Sequence, residues 1–309
     1  MIALAGGTGR LGRILVERLG AGAEPVRVLS REPARARAHE AMAKVDVVAA
    51  DVRDRDAVDR ALAGARIVIS AMSAFGMKGV SPREVDFEGN VNLIAAAEKL
   101  GVEQFVFVSA LGASADSPME LARMKHLAEQ RLVESKLAWT ILRPSPFIET
   151  FQEVLCAPLL ARGKTVVFGR ADNPINFVSA HDVARFVELA MTDPALRGAI
   201  VHVGGVENLS LVQFVETFSA AIGVTGPVKH VPRLAMRLLS QLARPFDPTF
   251  ARMVRAGVLM DTTDMSFDAT ALAQRYPQIP LTTVAEAARR DYAPRSSAPA
   301  KAAGKATAT

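Results

Sequence analysis

The chain is poor in the residues that would suggest several common classes of protein. It has one cysteine, Cys156, so no disulfide can form within it and no cysteine-rich metal cluster is available. Its five histidines, at 39, 126, 181, 202 and 230, show no metal-ligand spacing. No apolar run reaches the roughly 18 residues of a membrane span, so no integral membrane segment is expected. The first residues, Met1-Ile2-Ala3-Leu4-Ala5, already read as a buried strand, and no secretory leader is expected. With the single cysteine, this points to a reducing, cytoplasmic location. The net charge of +5 comes largely from Arg289, Arg290, Arg295, Lys301 and Lys305. No stripe of basic and aromatic residues accompanies it, so nucleic acid is not an expected partner. Tyrosine is nearly absent too, with only Tyr276 and Tyr292.

What the chain does have is alternation. Short runs rich in Val and Ile at Ile2–Ala5, Val26–Leu29, Val45–Ala49, Ile67–Ala71, Phe105–Ser109 and Thr140–Leu142 are apolar on both faces, as in a covered parallel sheet. Between them, Arg10–Leu19, Ala34–Ala43, Arg55–Ala61, Gly89–Leu100 and Glu120–Ser135 carry apolar residues at helical spacing. This order predicts right-handed βαβ units and an α/β, doubly wound parallel sheet. After Arg143-Pro144-Ser145-Pro146 the pattern loosens. The predicted division is a dinucleotide-binding domain at 1–145, a return of 175–204 to its sheet, a smaller C-terminal α/β substrate domain at 146–293, and a disordered tail at 294–309. Ser210–Ile222 reads as an amphipathic helix with Leu211, Phe214, Val215 and Phe218 on one face.

The strongest motif is Gly6-Gly7-Thr8-Gly9-Arg10-Leu11-Gly12, directly after a strand and opening a helix. In that context one glycine allows the tight turn, one lets backbone approach a pyrophosphate, and the last lets helix and strand pack closely. The helix N-terminus then supplies N–H groups to the phosphates. At the end of the second strand, where NAD enzymes place an acid on the ribose, stand Ser30-Arg31. A guanidinium suits a 2′-phosphate, so NADP(H) is favoured over NAD(H), with Glu32 as the competing residue one position on. Asp51-Val52 is placed beside the adenine, with a loop cap as the other reading of Asp51. Ala71-Met72 is placed on the nicotinamide side. The segment 230–257, with Arg233, Arg237, Arg244, Arg252 and Arg255 among leucines, reads as a lid helix or as a surface for a membrane or partner. Cys156 reads as a packed residue and Asp182 as a helix-start carboxylate.

The glycine motif, Ser109, Lys125–Glu129, "ILRPSPF" at 141–147, "FVSAHDVA" at 177–184 and "GGVENLSLVQFVETFSAAIG" at 204–223 occur in that order. Together they resemble the NmrA-like group of atypical short-chain dehydrogenase/reductases, over about residues 1–290. The resemblance implies a Rossmann fold. It also implies a serine at 109 that meets a substrate carbonyl and a lysine at 125 that meets the nicotinamide ribose. The tyrosine that such dehydrogenases keep one turn before the lysine is Leu121 here. Three readings follow: an NADPH-dependent reductase of a quinone- or enone-like molecule with Lys125 or water as proton donor, a non-catalytic redox sensor acting on a regulatory protein partner, or a cofactor-stabilised assembly or scaffold protein. Lys125 has a plainer reading as a surface lysine paired with Glu129, and the group leaves room for a homodimer.

Overall fold

A computed structural model describes residues 1–292. The tail expected at 294–309, and residue 293 of the second domain, lie outside the described residues. Eleven strands occur among the described residues: β1 (Ile2–Ala5), β2 (Val26–Ser30), β3 (Asp46–Ala49), β4 (Ile67–Ser70), β5 (Gln104–Val108), β6 (Ala138–Pro144), β7 (Thr165–Phe168), β8 (Ile175–Phe177), β9 (Ala199–Val203), β10 (Glu207–Leu209) and β11 (Val228–Val231). Seven of them form one parallel sheet in the order β3-β2-β1-β4-β5-β6-β9. The strand order reverses between β1 and β4, and a doubly wound sheet opens its ligand crevice at such a point.

The alternation of side chains along β1 shows how the sheet is covered. Ile2 and Leu4 join Leu11, Leu15, Val183 and Phe186 on one face. Ala3 and Ala5 join Val58, Leu62, Leu93 and Leu132 on the other. A third core is separate from both. It gathers Ile148, Leu155, Phe177, Phe214, Phe218 and Val284. Phe177 is its centre, with ring centroids 4.9 Å from Phe151 and 4.8 Å from Phe214. The expected helix face of Leu211, Phe214, Val215 and Phe218 is wholly buried there. Its N-terminus is closed by a reciprocal pair, with Ser210 Oγ accepting from Gln213 N and Gln213 Oε1 accepting from Ser210 N.

Two local expectations are corrected. The segment 175–204 does not return to the sheet as a whole. Only β9 does, beside β6, whereas β8 pairs antiparallel with β10 in a small ribbon. The reason is Asn176, whose amide donates to the Gly205 carbonyl and accepts from the Gly205 N–H, holding β8 against the third core. The single helix expected at Ala34–Ala43 is two short pieces, Pro33–Arg37 and a 3-10 turn at Glu40–Lys44. His39 interrupts it with extended backbone and an Nδ1 that accepts from Ala41 N.

Candidate functional site

The loop after β1 runs straight into the helix Arg10–Leu19. Gly6 has φ +87°, and a Cβ there would stand 2.6 Å from the backbone carbonyl of Ala71. The first loop is thus packed directly on the turn that follows β4. Gly12 lies equally close to Gly7, with only 2.6 Å between an added Cβ and the Gly7 Cα. Gly9 differs. Its nearest neighbour to an added Cβ is the Gly6 oxygen at 3.3 Å, and its backbone is extended at φ −75°. The space over Gly9 is therefore open on the crevice side. The helix has no side-chain cap and no acid in its first turn, so its first N–H groups and its positive end are left for an anion. Thr8 and Gly9 are exposed, whereas Leu11 is in the core and offers the crevice only its backbone. Arg10 reaches across to an ion pair with Glu153.

Arg31 emerges at the end of β2, exposed, and makes no hydrogen bond or ion pair among the described residues. Glu32, also exposed, pairs with Arg35 at 3.4 Å. Asp51 accepts from the Arg53 backbone N–H at 3.0 Å and from its guanidinium at 2.7 Å. The Arg53 hydrogen bond holds the Asp51 carboxyl below the ordinary aspartate range. Asp51 therefore caps its own loop. Val52 packs against Gly89 and its carbonyl accepts from Asn92.

Lys125, in the helix Glu120–Val133, is 2% exposed. Its Nζ donates to the Met72 carbonyl at 2.6 Å and the Val108 carbonyl at 3.0 Å, and lies 3.3 Å from Asp86 Oδ1. It also sits 5.0 Å from the centroid of the Phe107 ring. The plain reading of Lys125 as a surface partner of Glu129 is incorrect: Glu129 is itself buried and takes both carboxylate oxygens to Arg143. Asp86 is fully buried in a π-helical turn at Arg83–Glu88, and its Oδ2 accepts from Ala74 N. Burial pushes its carboxyl above the ordinary range, against the opposing pull of Lys125. Next to it, Ser70 donates to Asn90 Oδ1 at 2.6 Å, and Asn90 donates to the Asp86 carbonyl. Sequence reasoning did not find Asp86 or Asn90. Nothing in the string Val85-Asp86-Phe87 marks that carboxylate as facing inward, because the π turn sets its direction.

Ser109 follows the Val108 carbonyl at the C-terminal end of β5. Its backbone N–H donates to the Leu142 carbonyl, while its Oγ is buried and has no partner among the described residues. Leu121 is half-buried one turn before Lys125. The two tyrosines are elsewhere: Tyr276 packs on Phe186 and Tyr292 on Phe218. Cys156 is fully buried, and burial pushes its thiol up to about 12. Asp182 lies in the first turn of the helix Ala180–Thr192 and accepts from Thr282 N and Oγ1, each at 2.7 Å. No group of three or more potential metal ligands occurs among the described residues.

The glycine loop, the open position over Gly9, the bare helix end and the switch point between β1 and β4 fit a dinucleotide. The model of the NAD(P)H-binding family matches residues 6–194. The chain belongs to that family. Among relatives, it is 29% identical to the NAD(P)H azoreductase of Xenophilus azovorans, over 75% of this chain and 76% of that one. It is 26% identical to the photosystem II assembly factor Ycf39 of a Synechocystis strain, over 81% and 76% of the two chains. The NADPH-dependent quinone oxidoreductase of Escherichia coli, solved with NADPH, superposes with a TM-score of 0.75 at 25% identity, covering 94% of this chain and 99% of that one.

Proposed function

We propose that the chain is an NADPH-dependent reductase of a quinone- or enone-like small molecule that works without a tyrosine–lysine relay. The observation that carries this reading is the Ser109 hydroxyl, buried and unpartnered at the C-terminal end of β5, beside the switch-point crevice. A native buried hydroxyl without a partner is uncommon, and a substrate carbonyl oxygen would satisfy it. The nicotinamide supplies a hydride when bound. Ser109 then donates a hydrogen bond to the carbonyl oxygen on which negative charge grows. Lys125 acts as a positioning residue in this scheme. Two of its N–H groups are taken by the Met72 and Val108 carbonyls and its charge is paired with Asp86, so it fixes the ends of β4 and β5 that flank the nicotinamide side. The proton needed for two-electron reduction of a quinone comes from solvent. Gly6, Gly7, Thr8, Gly9, Arg10, Leu11 and Gly12 hold the pyrophosphate, and Ala71 and Met72 border the nicotinamide. Asp51 and Val52 lie toward the adenine.

The test follows nicotinamide absorbance with NADPH and a panel of quinones. Turnover is expected, and Ser109→Ala should lower kcat/KM by about tenfold or more. Its thermal stability should hold or rise slightly, because an unsatisfied buried hydroxyl is removed. A mutant with wild-type kcat/KM across the panel sinks the assignment of Ser109.

The preference for NADPH rests on Arg31, free at the end of β2 while Glu32 is drawn to Arg35. Loss of a charged phosphate contact costs about 1.5–3 kcal/mol. Arg31→Ala should therefore weaken NADPH by roughly 10- to 100-fold and leave NADH nearly unchanged. Titration of both cofactors decides it, and equal loss for the two refutes the role.

The satisfied state of Lys125 also favours a second reading, a non-catalytic NADP(H)-binding sensor or assembly protein acting on a protein partner. A chain that binds NADPH yet reduces nothing in the panel supports that reading over the reductase.

A further inference from the structure

The segment Arg233–Met260 is a hairpin of two helices, Arg233–Ala243 and Pro248–Met260. Its inner side is well fixed. Met236 and Ser240 are buried, Thr249 Oγ1 donates to the Met77 carbonyl, and Arg252 donates to the Val80 carbonyl. Arg233 pairs with the buried Asp261. The outer side is apolar and uncovered among the described residues. Leu234, Leu238 and Leu242 follow one another at four-residue spacing and are 70%, 52% and 71% exposed. Leu239 stands beside them, and Phe246 at the hairpin tip is 89% exposed. Phe250 and Met253 continue the surface along the second helix.

From this arrangement, the geometry points to a docking face for an anionic lipid bilayer. The charges select that occupant. Arg237 and Arg244 flank the leucine row on one side of the first helix, and Arg255 stands on the second. All three are exposed and without an ion pair among the described residues. The one carboxylate between residues 233 and 260 is Asp247, and it is spent on capping the second helix through the Phe250 N–H. A row of leucines edged by arginines rests at the boundary of acyl chains and headgroups, with the guanidiniums reaching lipid phosphates. A second copy of this chain fits less well, because a two-fold contact through this face would set its uncompensated arginines against their own copies. The inference does not rest on the reductase reading.

The test uses full-length protein and flotation with vesicles of phosphatidylcholine alone or of equimolar phosphatidylcholine and phosphatidylglycerol. Binding is expected to the anionic vesicles, about tenfold or more above the neutral ones, and to weaken with salt. Leu238→Glu/Leu242→Glu should abolish it, and Arg237→Gln/Arg244→Gln should remove the preference for anionic lipid. Both pairs are at exposed positions, so unfolding temperatures should stay at the wild-type value. Three results overturn the inference: no binding to either vesicle, equal binding by wild type and the leucine variant, or a wild-type dimer in solution that Leu238→Glu/Leu242→Glu makes monomeric.

Discussion

Gly9→Val is expected to fold normally and to lose NADPH affinity by about a hundredfold or more, roughly 2.7 kcal/mol. The two halves of this expectation have separate causes. The Gly9 backbone is extended, so valine is tolerated there, and an added Cβ meets only the Gly6 oxygen at 3.3 Å. The branched side chain then projects over the helix end, into the space that a pyrophosphate must enter to reach the N–H groups. Gly12→Val should behave in the opposite order. Its Cβ would overlap the Gly6 carbonyl oxygen and press on Gly7, so the helix would be forced off β1 and the fold destabilised before any ligand is added. Thermal unfolding and cofactor titration on the two variants separate the effects. A folded Gly9→Val protein with wild-type NADPH affinity would place the phosphates elsewhere.

Lys125→Met should be the most damaging single change to stability. It leaves Asp86 fully buried without its cation, and strips the donor from the Met72 and Val108 carbonyls. Breaking a buried ion pair in this way costs about 3–5 kcal/mol. For a chain of this size that lowers the unfolding temperature by roughly 6–20 °C. The deficit should depend on pH with a defined sign. Burial already raises the Asp86 carboxyl in the folded protein, and without Lys125 it rises further. A raised folded value means that the native state takes up the proton more readily than the unfolded chain. The variant should therefore recover stability as pH falls through that value and lose it as pH rises. Lys125→Met/Asp86→Asn should regain a large part of the loss at neutral pH, because no charge remains stranded. An unfolding temperature for Lys125→Met within about 2 °C of wild type would show that the pair carries little of the fold.

The sequence is informative where a local pattern and a backbone requirement coincide. The helix Arg10–Leu19 and strand Ile2–Ala5 end where their residues say they should, because Gly6 between them takes a φ of +87° that breaks the strand. Gly89–Leu100 is bounded equally well by Gly101, which takes the left-handed conformation at φ +68° and stops the helix. The helix faces of Leu211–Ile222 follow from spacing alone. Other features depend on contacts between residues distant in sequence. Asn176 draws β8 out of the sheet through Gly205, which no periodicity reveals. Lys125 was legible as a special residue, yet its partners were not. Asp86 lies 39 positions away, and its inward aim depends on an i-to-i+5 turn whose sequence is ordinary. Ser109 is singled out by the family resemblance, and its lack of a partner among the described residues is a property of the packed state only.

The position of β9 has a consequence for synthesis of the chain. β6 ends at Pro144, but the strand that covers its free edge ends at Val203, after the chain has passed through the third core. About 60 residues separate the two, which at ~5–20 residues per second is roughly 3–12 s of translation. During that interval the nascent sheet presents Thr140, Ile141 and Leu142 with their backbone groups unpaired on one side. The detour through the third core therefore sets how long a sticky edge stands open at the ribosome, and a longer insertion at this point would lengthen that exposure in proportion.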